Sequence, residues 1–186
     1  ERDRQAQELS GEIITLARNS ILVNLRFMDR AVGNFRCVPN MKYGFASAGG
    51  FVMYSPWTLI ITYRDEQNLI SRNLLHSILH SVFRHSIVGQ GIERLKWDLA
   101  CDIAVENSIN ELEQDFLRTK REAEQAEVID HIKKQLPCLT AERIYSFLIS
   151  DEVTYVQCYE WSELFKGDDH DLWYGIENAE YTIPTT

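Results

Sequence analysis

The sequence predicts a mainly helical α+β domain, and three observations carry that prediction. Apolar residues recur at spacings of three and four, as in Leu9, Ile13, Ala17, Ile21, Leu25, Met28 and Val32, which is the pattern of one buried helical face. One short region rich in aromatic and β-branched residues, Tyr43-Gly44-Phe45 and Phe51-Val52-Met53-Tyr54, is split by Gly49-Gly50 and reads as a β-hairpin. The chain has 186 residues, 45% apolar and 25% charged, which is enough for one domain with its own core.

The first stripe predicts either one long helix from Gln5 to about Arg36 or two shorter ones, because Asn19-Ser20 can restart a cap. The hairpin follows over residues 40–55. Residues 56–64 stay open between two readings: Ser55-Pro56 suits an N-cap and first helical residue, whereas Trp57-Thr58-Leu59-Ile60-Ile61-Thr62-Tyr63 has strand-like composition. Asp65 can cap a helix through Leu69, Leu74, Leu75, Ile78, Leu79, Val82 and Phe83 to about Ser86, where Gly89-Gln90-Gly91 breaks the chain. A second apolar helix runs from about Leu95 to Asn110. Residues 111–135 carry many charges around the thin stripe Leu117, Val128 and Ile132, which predicts a solvated helix or helix pair, ended by Leu136-Pro137. Thr140 can cap a helix from Ala141 to Ile149. The aromatic and acidic remainder ends in Thr182-Ile183-Pro184-Thr185-Thr186, so one domain over 1–178 and a linker stub over 179–186 are expected.

Composition excludes several classes. The 28 acidic against 19 basic side chains give a net charge of -9, which argues against a broad nucleic-acid footprint. No apolar run approaches the roughly 18 to 20 residues that span a bilayer, and Glu1-Arg2-Asp3-Arg4 begins no signal-peptide core. Cys37, Cys101, Cys138 and Cys158 are scattered without a CxxC pair and read as reduced thiols. The simplest expectation is a soluble cytoplasmic protein that meets protein or peptide partners.

The strongest chemical signal is His76-Ser77-Ile78-Leu79-His80. Histidines four apart lie one helical turn above each other and can offer two imidazole nitrogens to one metal ion. His85 falls on roughly the opposite side of an unbroken helix, which makes it a poor third ligand. On the next helix Asp98, Asp102 and Glu106 form a carboxylate row among Trp97, Leu99, Ala100, Cys101, Ile103, Ala104, Val105 and Ile109. A carboxylate in such company needs a cation, a metal or a set of donors, the ordinary alternative being a solvated acidic stripe. His76, His80 and Asp102 would make a three-ligand site with a fourth position open to water, as in catalytic zinc centres. His170, in Asp168-Asp169-His170-Asp171, is either a further ligand or outer partner, or part of an exposed acidic loop. Ser77 lacks the strained elbow of a hydrolase nucleophile, and Cys101 suits the core.

Several of these segments occur in a familiar order: Arg26-Phe-Met-Asp-Arg-Ala31, Met53-Tyr-Ser-Pro56, Leu75-His-Ser-Ile-Leu-His80 with Phe83-Arg-His85, Trp97-Asp-Leu-Ala-Cys-Asp-Ile-Ala-Val105 and Asp168-Asp-His-Asp-Leu-Trp173. Over roughly residues 20–175 the chain resembles the metallopeptidase domain found upstream of a von Willebrand factor A-like domain in bacterial proteins. The resemblance implies a zincin-like α+β fold with a small sheet beside the metal-site helix, zinc as the metal, and His76, His80 and Asp102 at the ligand positions. It also brings a downstream von Willebrand factor A-like domain and an AAA-type ATPase forward as partners. One departure stands out: the zincin motif His-Glu-x-x-His needs its glutamate to polarise the zinc-bound water, and here that position is Ser77. Glu106, one turn beyond Asp102, is the candidate substitute base in a zinc-dependent peptide hydrolase, with the hairpin edge receiving an extended peptide; as a fourth ligand it would instead close the site. The alternative is a catalytically silent, metal-stabilised protein-interaction module.

Overall fold

The computed structural model describes residues 1–150 and 152–175; the expected domain boundary at 178 and the linker stub at 179–186 lie outside the described residues. The first apolar stripe forms helix α1, Arg2–Asn24, with Ile13, Ile14, Ala17 and Ile21 buried. It runs straight through Asn19-Ser20 and breaks at Leu25, whose φ of -124° leaves the helical region. A 3₁₀ turn, Arg26–Met28, and the short helix α2, Asp29–Asn34, follow.

The sheet has three strands, β1 (Arg36–Pro39), β2 (Phe45–Ala48) and β3 (Phe51–Tyr54), in the order β1-β3-β2. β2 and β3 form the expected antiparallel hairpin, turning at Gly49, whose φ of +56° suits glycine. β1, absent from the sequence reading, pairs parallel with β3. Four residues with an alternating exposed and half-buried pattern carry too little periodicity to announce a strand, and the pairing is made by tertiary contact.

The open segment 56–64 is helical. In α3, Pro56–Asp65, the Ser55 hydroxyl accepts from the Thr58 amide and Pro56 opens the helix, so the start signal overrides β-branched composition. Asp65 accordingly closes α3 instead of capping the next helix, and α4, Gln67–Phe83, begins after Glu66 with no side-chain cap. Helix α5, Arg94–Asn110, is buried on almost every side, with Leu99, Cys101, Ile103 and Val105 fully inside. The charged stretch yields a 3₁₀ turn, Asp115–Leu117, and helix α6, Glu122–Lys133, which buries Gln125, Ile129 and Ile132 and exposes most of its acids. Helix α7, Ala141–Leu148, is capped by Thr140 as its sequence indicates. Helix α8, Tyr155–Phe165, was not anticipated, although Thr154 and Gln157 form a full capping box.

The core has two main parts. α1, the sheet, α3 and α4 enclose one, with Ile21, Leu25, Val52, Leu59, Leu74 and Leu75 among its members. α5, α6, α7 and α8 enclose the other around Leu99, Ile103, Ile132, Ile144, Leu148 and Phe165. The pair α4 and α5 forms the seam, and its polar rows face each other there. No helix among the described residues is long and apolar enough to cross a membrane.

Candidate metal centre

Along α4, Arg72, His76 and His80 are spaced by four; along α5, Asp98, Asp102 and Glu106 are too. The helices run antiparallel, so the rows meet as a ladder: Arg72 opposite Glu106, His76 between Glu106 and Asp102, and His80 opposite Asp102. His76 Nε2 lies 3.1 Å and His80 Nε2 3.2 Å from Asp102 Oδ1, and the two Nε2 atoms are 2.8 Å apart. The sequence reading therefore brings its three ligands together.

Two more donors arrive from the segment after α8. His170 Nε2 is 3.0 Å from Asp168 Oδ1 and 3.3 Å from Asp102 Oδ1, and Asp168 Oδ1 stands 3.6 and 3.7 Å from the Nε2 atoms of His76 and His80. All five side chains are buried, and one ligand atom from each lies within 4.8 Å of every other. Asp168 and His170 flank the bridged Asp169 and point to one place. That spacing was the signal for Asp168, which the sequence reading passed over. Gly167 makes the approach possible, because a Cβ there would stand 2.7 Å from the His76 ring.

The segment is anchored to the sheet. Asp169 N–H donates to the Phe45 carbonyl at 2.8 Å, forming a parallel bridge to Ala46, and Trp173 Nε1–H donates to the Ser47 carbonyl at 2.8 Å. Trp173 also stacks on His170, with ring centroids 3.7 Å apart. β2 is thus the strand whose open side the 168–173 segment covers, and the edge expected to receive an extended peptide is occupied by this chain itself. Ser77, next to His76 on α4, donates its hydroxyl to Asp168 Oδ2 at 3.0 Å. A hydroxyl on α4 thus holds a carboxylate supplied from position 168 beside the two α4 histidines.

Outer partners fix each imidazole. Glu106 Oε1 accepts from His76 Nδ1–H at 2.7 Å, while Glu106 Oε2 accepts from Arg72 at 2.7 Å. Both oxygens of Glu106 are committed on the far side of His76, away from the five converging ligand atoms. His85 reaches the site by a different route from an unbroken helix: α4 ends at Phe83, Arg84 adopts φ +60°, and the chain turns back. His85 Nδ1 then lies 2.9 Å from His80 Nδ1, bracing the ring without joining the ligand atoms. Asp98 accepts from the Tyr174 hydroxyl at 2.5 Å and stands 3.5 Å from His170 Nδ1. Cys101 packs in the second core, where burial raises its thiol pKa.

The donor set fits a divalent cation on both geometry and charge. With metal bonds of 2.0 to 2.2 Å, neighbouring ligand atoms of a tetrahedron are about 3.3 Å apart, in the middle of the observed separations. Asp102, Asp168 and Glu106 bring three buried negative charges and Arg72 one positive, which leaves two to be balanced. Two protons can do this. Burial opposes a charge on His76, yet Asp102 and Glu106 outweigh it and lift its pKa to about 9. Burial likewise opposes a charge on His170, and Asp102 with Asp168 lift its pKa well above the ordinary value. His80 is pushed well below, by burial and then by its positive neighbours. Burial raises Asp102, whereas Asp168 is lowered and Glu106 falls to about 2 because nearby cations outweigh their burial. One divalent ion held by this set would take the place of those two imidazole protons and leave His76, His80 and His170 neutral, the form in which imidazole binds metal.

Comparison with family models, with curated proteins and with solved structures finds no match to this chain. The class defined by fold and site is a mainly helical α+β domain with a buried cluster of three histidines and two aspartates whose geometry suits a metal ion.

Proposed function

We propose that the chain is a metal-stabilised protein-interaction module of zincin-like build, in which zinc is held by His76, His80, Asp102, His170 and Asp168. The observation that carries this reading is the convergence of five buried ligand atoms within 4.8 Å. Imidazole-rich sets with carboxylates suit zinc, the metal that the resemblance implies. Two ligands come from one helix, one from another and two from the 167–174 segment, so a bound ion cross-links parts of the chain that nothing else joins covalently. Catalytic zinc sites keep three protein ligands and an open position, whereas five donors crowd this one. The commitment of both Glu106 oxygens and the covered edge of β2 point the same way. The order of the sequence motifs supports a setting beside a downstream von Willebrand factor A-like domain and an AAA-type ATPase, and the net charge of -9 suits a protein partner that presents a basic face.

One observation favours a second reading, zinc-dependent peptide hydrolysis. A cleft of about 460 Å³ reaches the centre, with Asp102, Asp168 and His170 in its wall. In that reading Asp168 is the carboxylate nearest both cleft and metal, and is better placed than Glu106 to take a proton from water.

Metal analysis of protein purified without added zinc, joined to anomalous scattering at the zinc edge, tests the proposal. The expected result is one zinc among the five ligands, with no turnover of a broad peptide library. Well below one equivalent of any metal overturns the module, and metal-dependent peptide cleavage moves the assignment to the second reading.

A further inference from the structure

Resting on that metal-centre reading, we infer that Arg72 is a positioning residue for the metal: it holds Glu106 so that Glu106 keeps the His76 Nε2 lone pair aimed at the ion. Arg72 lies one helical turn before His76 on α4, with its side chain 1% exposed. Its Nε and Nη2 both reach Glu106 Oε2 at 2.7 Å. Nη1 donates to the Leu117 carbonyl at 2.8 Å, and Nη2 also meets Asn110 Oδ1 and Gln125 Oε1. The guanidinium is therefore pinned by α5, α6 and the loop between them, and Glu106 is gripped from a fixed direction.

Glu106 is held between two donors, Arg72 on Oε2 and His76 Nδ1–H on Oε1, which blocks rotation of its carboxylate. A histidine that donates from Nδ1 keeps its lone pair on Nε2, the atom facing the other ligands. A competitor stands close by. Arg121 Nη2 is 3.7 Å from Glu106 Oε1, and neither that nitrogen nor Arg121 Nε has a hydrogen-bond partner among the described residues. Arg121 already donates through Nη1 to the Lys166 carbonyl at 2.6 Å, so it is anchored within reach. Without Arg72, Glu106 can swing toward Arg121 and release His76. Stability alone does not explain the arrangement, since well-packed apolar residues commonly replace a buried ion pair without loss.

The test compares wild type, Arg72→Lys and Arg72→Met/Glu106→Gln. Zinc affinity is measured by chelator competition, and the His76 Nδ1–H proton is followed by NMR in the zinc-loaded protein. Arg72→Lys retains the buried charge, and with it the fold, but loses the two-pronged grip. The double variant removes both charges and so leaves no unpaired ion. Both are expected to bind zinc about 10- to 100-fold more weakly, the usual effect of losing an outer partner, with the Nδ1–H signal shifted or lost. A purely structural role would lower the melting temperatures of the zinc-loaded and chelated forms equally; positioning predicts that the gap between them shrinks. Wild-type zinc affinity and an unchanged Nδ1–H signal in Arg72→Lys would reject the inference while leaving the metal centre intact. Failure of wild type itself to bind metal would instead remove the reading on which the inference rests.

Discussion

The α4–α5 pair and the segment from Gly167 to Tyr174 deliver ligands to the same point by different physics. On the helices, His76, His80 and Asp102 are placed by the helical repeat, and each helix also carries part of a core. On the segment, Asp168 and His170 are placed by docking: a bridge to β2, a tryptophan hydrogen bond to the Ser47 carbonyl and the stack of Trp173 on His170. The helical ligands are prearranged by short-range geometry. The segment's side chains depend on docking, and under the proposed metal reading that half of the centre is expected to be the more easily released.

The largest expected effect comes from removing the metal. A site saturated at about 1,000 times its Kd stabilises the folded state by about 4 kcal/mol, which for a chain of this size is roughly 10 °C in Tm. Calorimetry with and without a strong chelator checks this. Hydrogen exchange on the same samples sharpens the comparison: the Asp169 amide, which donates to Phe45, should lose protection well before the α4 and α5 backbone does. Equal loss in both regions would mean that the segment is held without the ion.

Removing ligands one at a time comes next. If the roughly 10 to 16 kcal/mol of a structural zinc site is shared among its ligands, each accounts for about 3 kcal/mol, or about 100-fold in Kd. His76→Ala and His170→Ala should both weaken zinc binding on that scale in a competition assay. Only His170→Ala should expose the 167–174 segment to proteolysis while the α4–α5 pair stays protected.

Gly167→Ala probes the contact between the two regions. The added Cβ would stand 2.7 Å from the His76 ring, so either the ring or the segment must move, at a cost of about 1–3 kcal/mol. Denaturant unfolding together with zinc titration should show lower stability and weaker binding at once. Stability that falls with unchanged zinc affinity would show the ring to be insensitive to the segment.

A pH series gives a smaller effect of definite sign. In the chelated protein His76 is raised from 6.5 to about 9, so its contribution to stability is complete below pH 6.5 and is lost as pH rises through about 9. Zinc takes the place of that proton, and the zinc-loaded protein should not show the loss. The difference in Tm between the two forms should therefore widen between pH 6.5 and 9, as read by thermal melts in matched buffers. Smallest of all, Thr154→Ala removes the α8 cap for about 1 kcal/mol and should leave zinc affinity unchanged, separating the stability of α8 from the geometry of the segment it leads into.

The same division governs what could be read beforehand. α4 and α5 are legible because their apolar and polar positions repeat with the helical period, and spacings of four make the two polar rows that the packing of the helices joins into a ladder. Glu106 was correctly singled out as part of that row, but its partner Arg72 is 34 positions away in sequence, and only the antiparallel packing of the helices shows which way the carboxylate faces. His85 was placed on the far side of a continuous helix; the left-handed turn at Arg84 brings it back against His80. β1 and the covered edge of β2 were not legible, since neither strand pairing nor the docking of 168–173 leaves a local periodic trace.

By itself the sequence determined the mainly helical α+β class, the hairpin around Gly49 and the spacing that sets His76 and His80 one turn apart on one helix and Asp102 in a polar row on the next, because each follows from interactions within a few residues. The tertiary structure alone decided that Asp168 and His170 complete the cluster, that Ser77 holds Asp168, and that Glu106 lies behind His76. Those choices depend on contacts between residues 30 to more than 90 positions apart, where the chain's path through space, not its local repeat, determines which atoms meet.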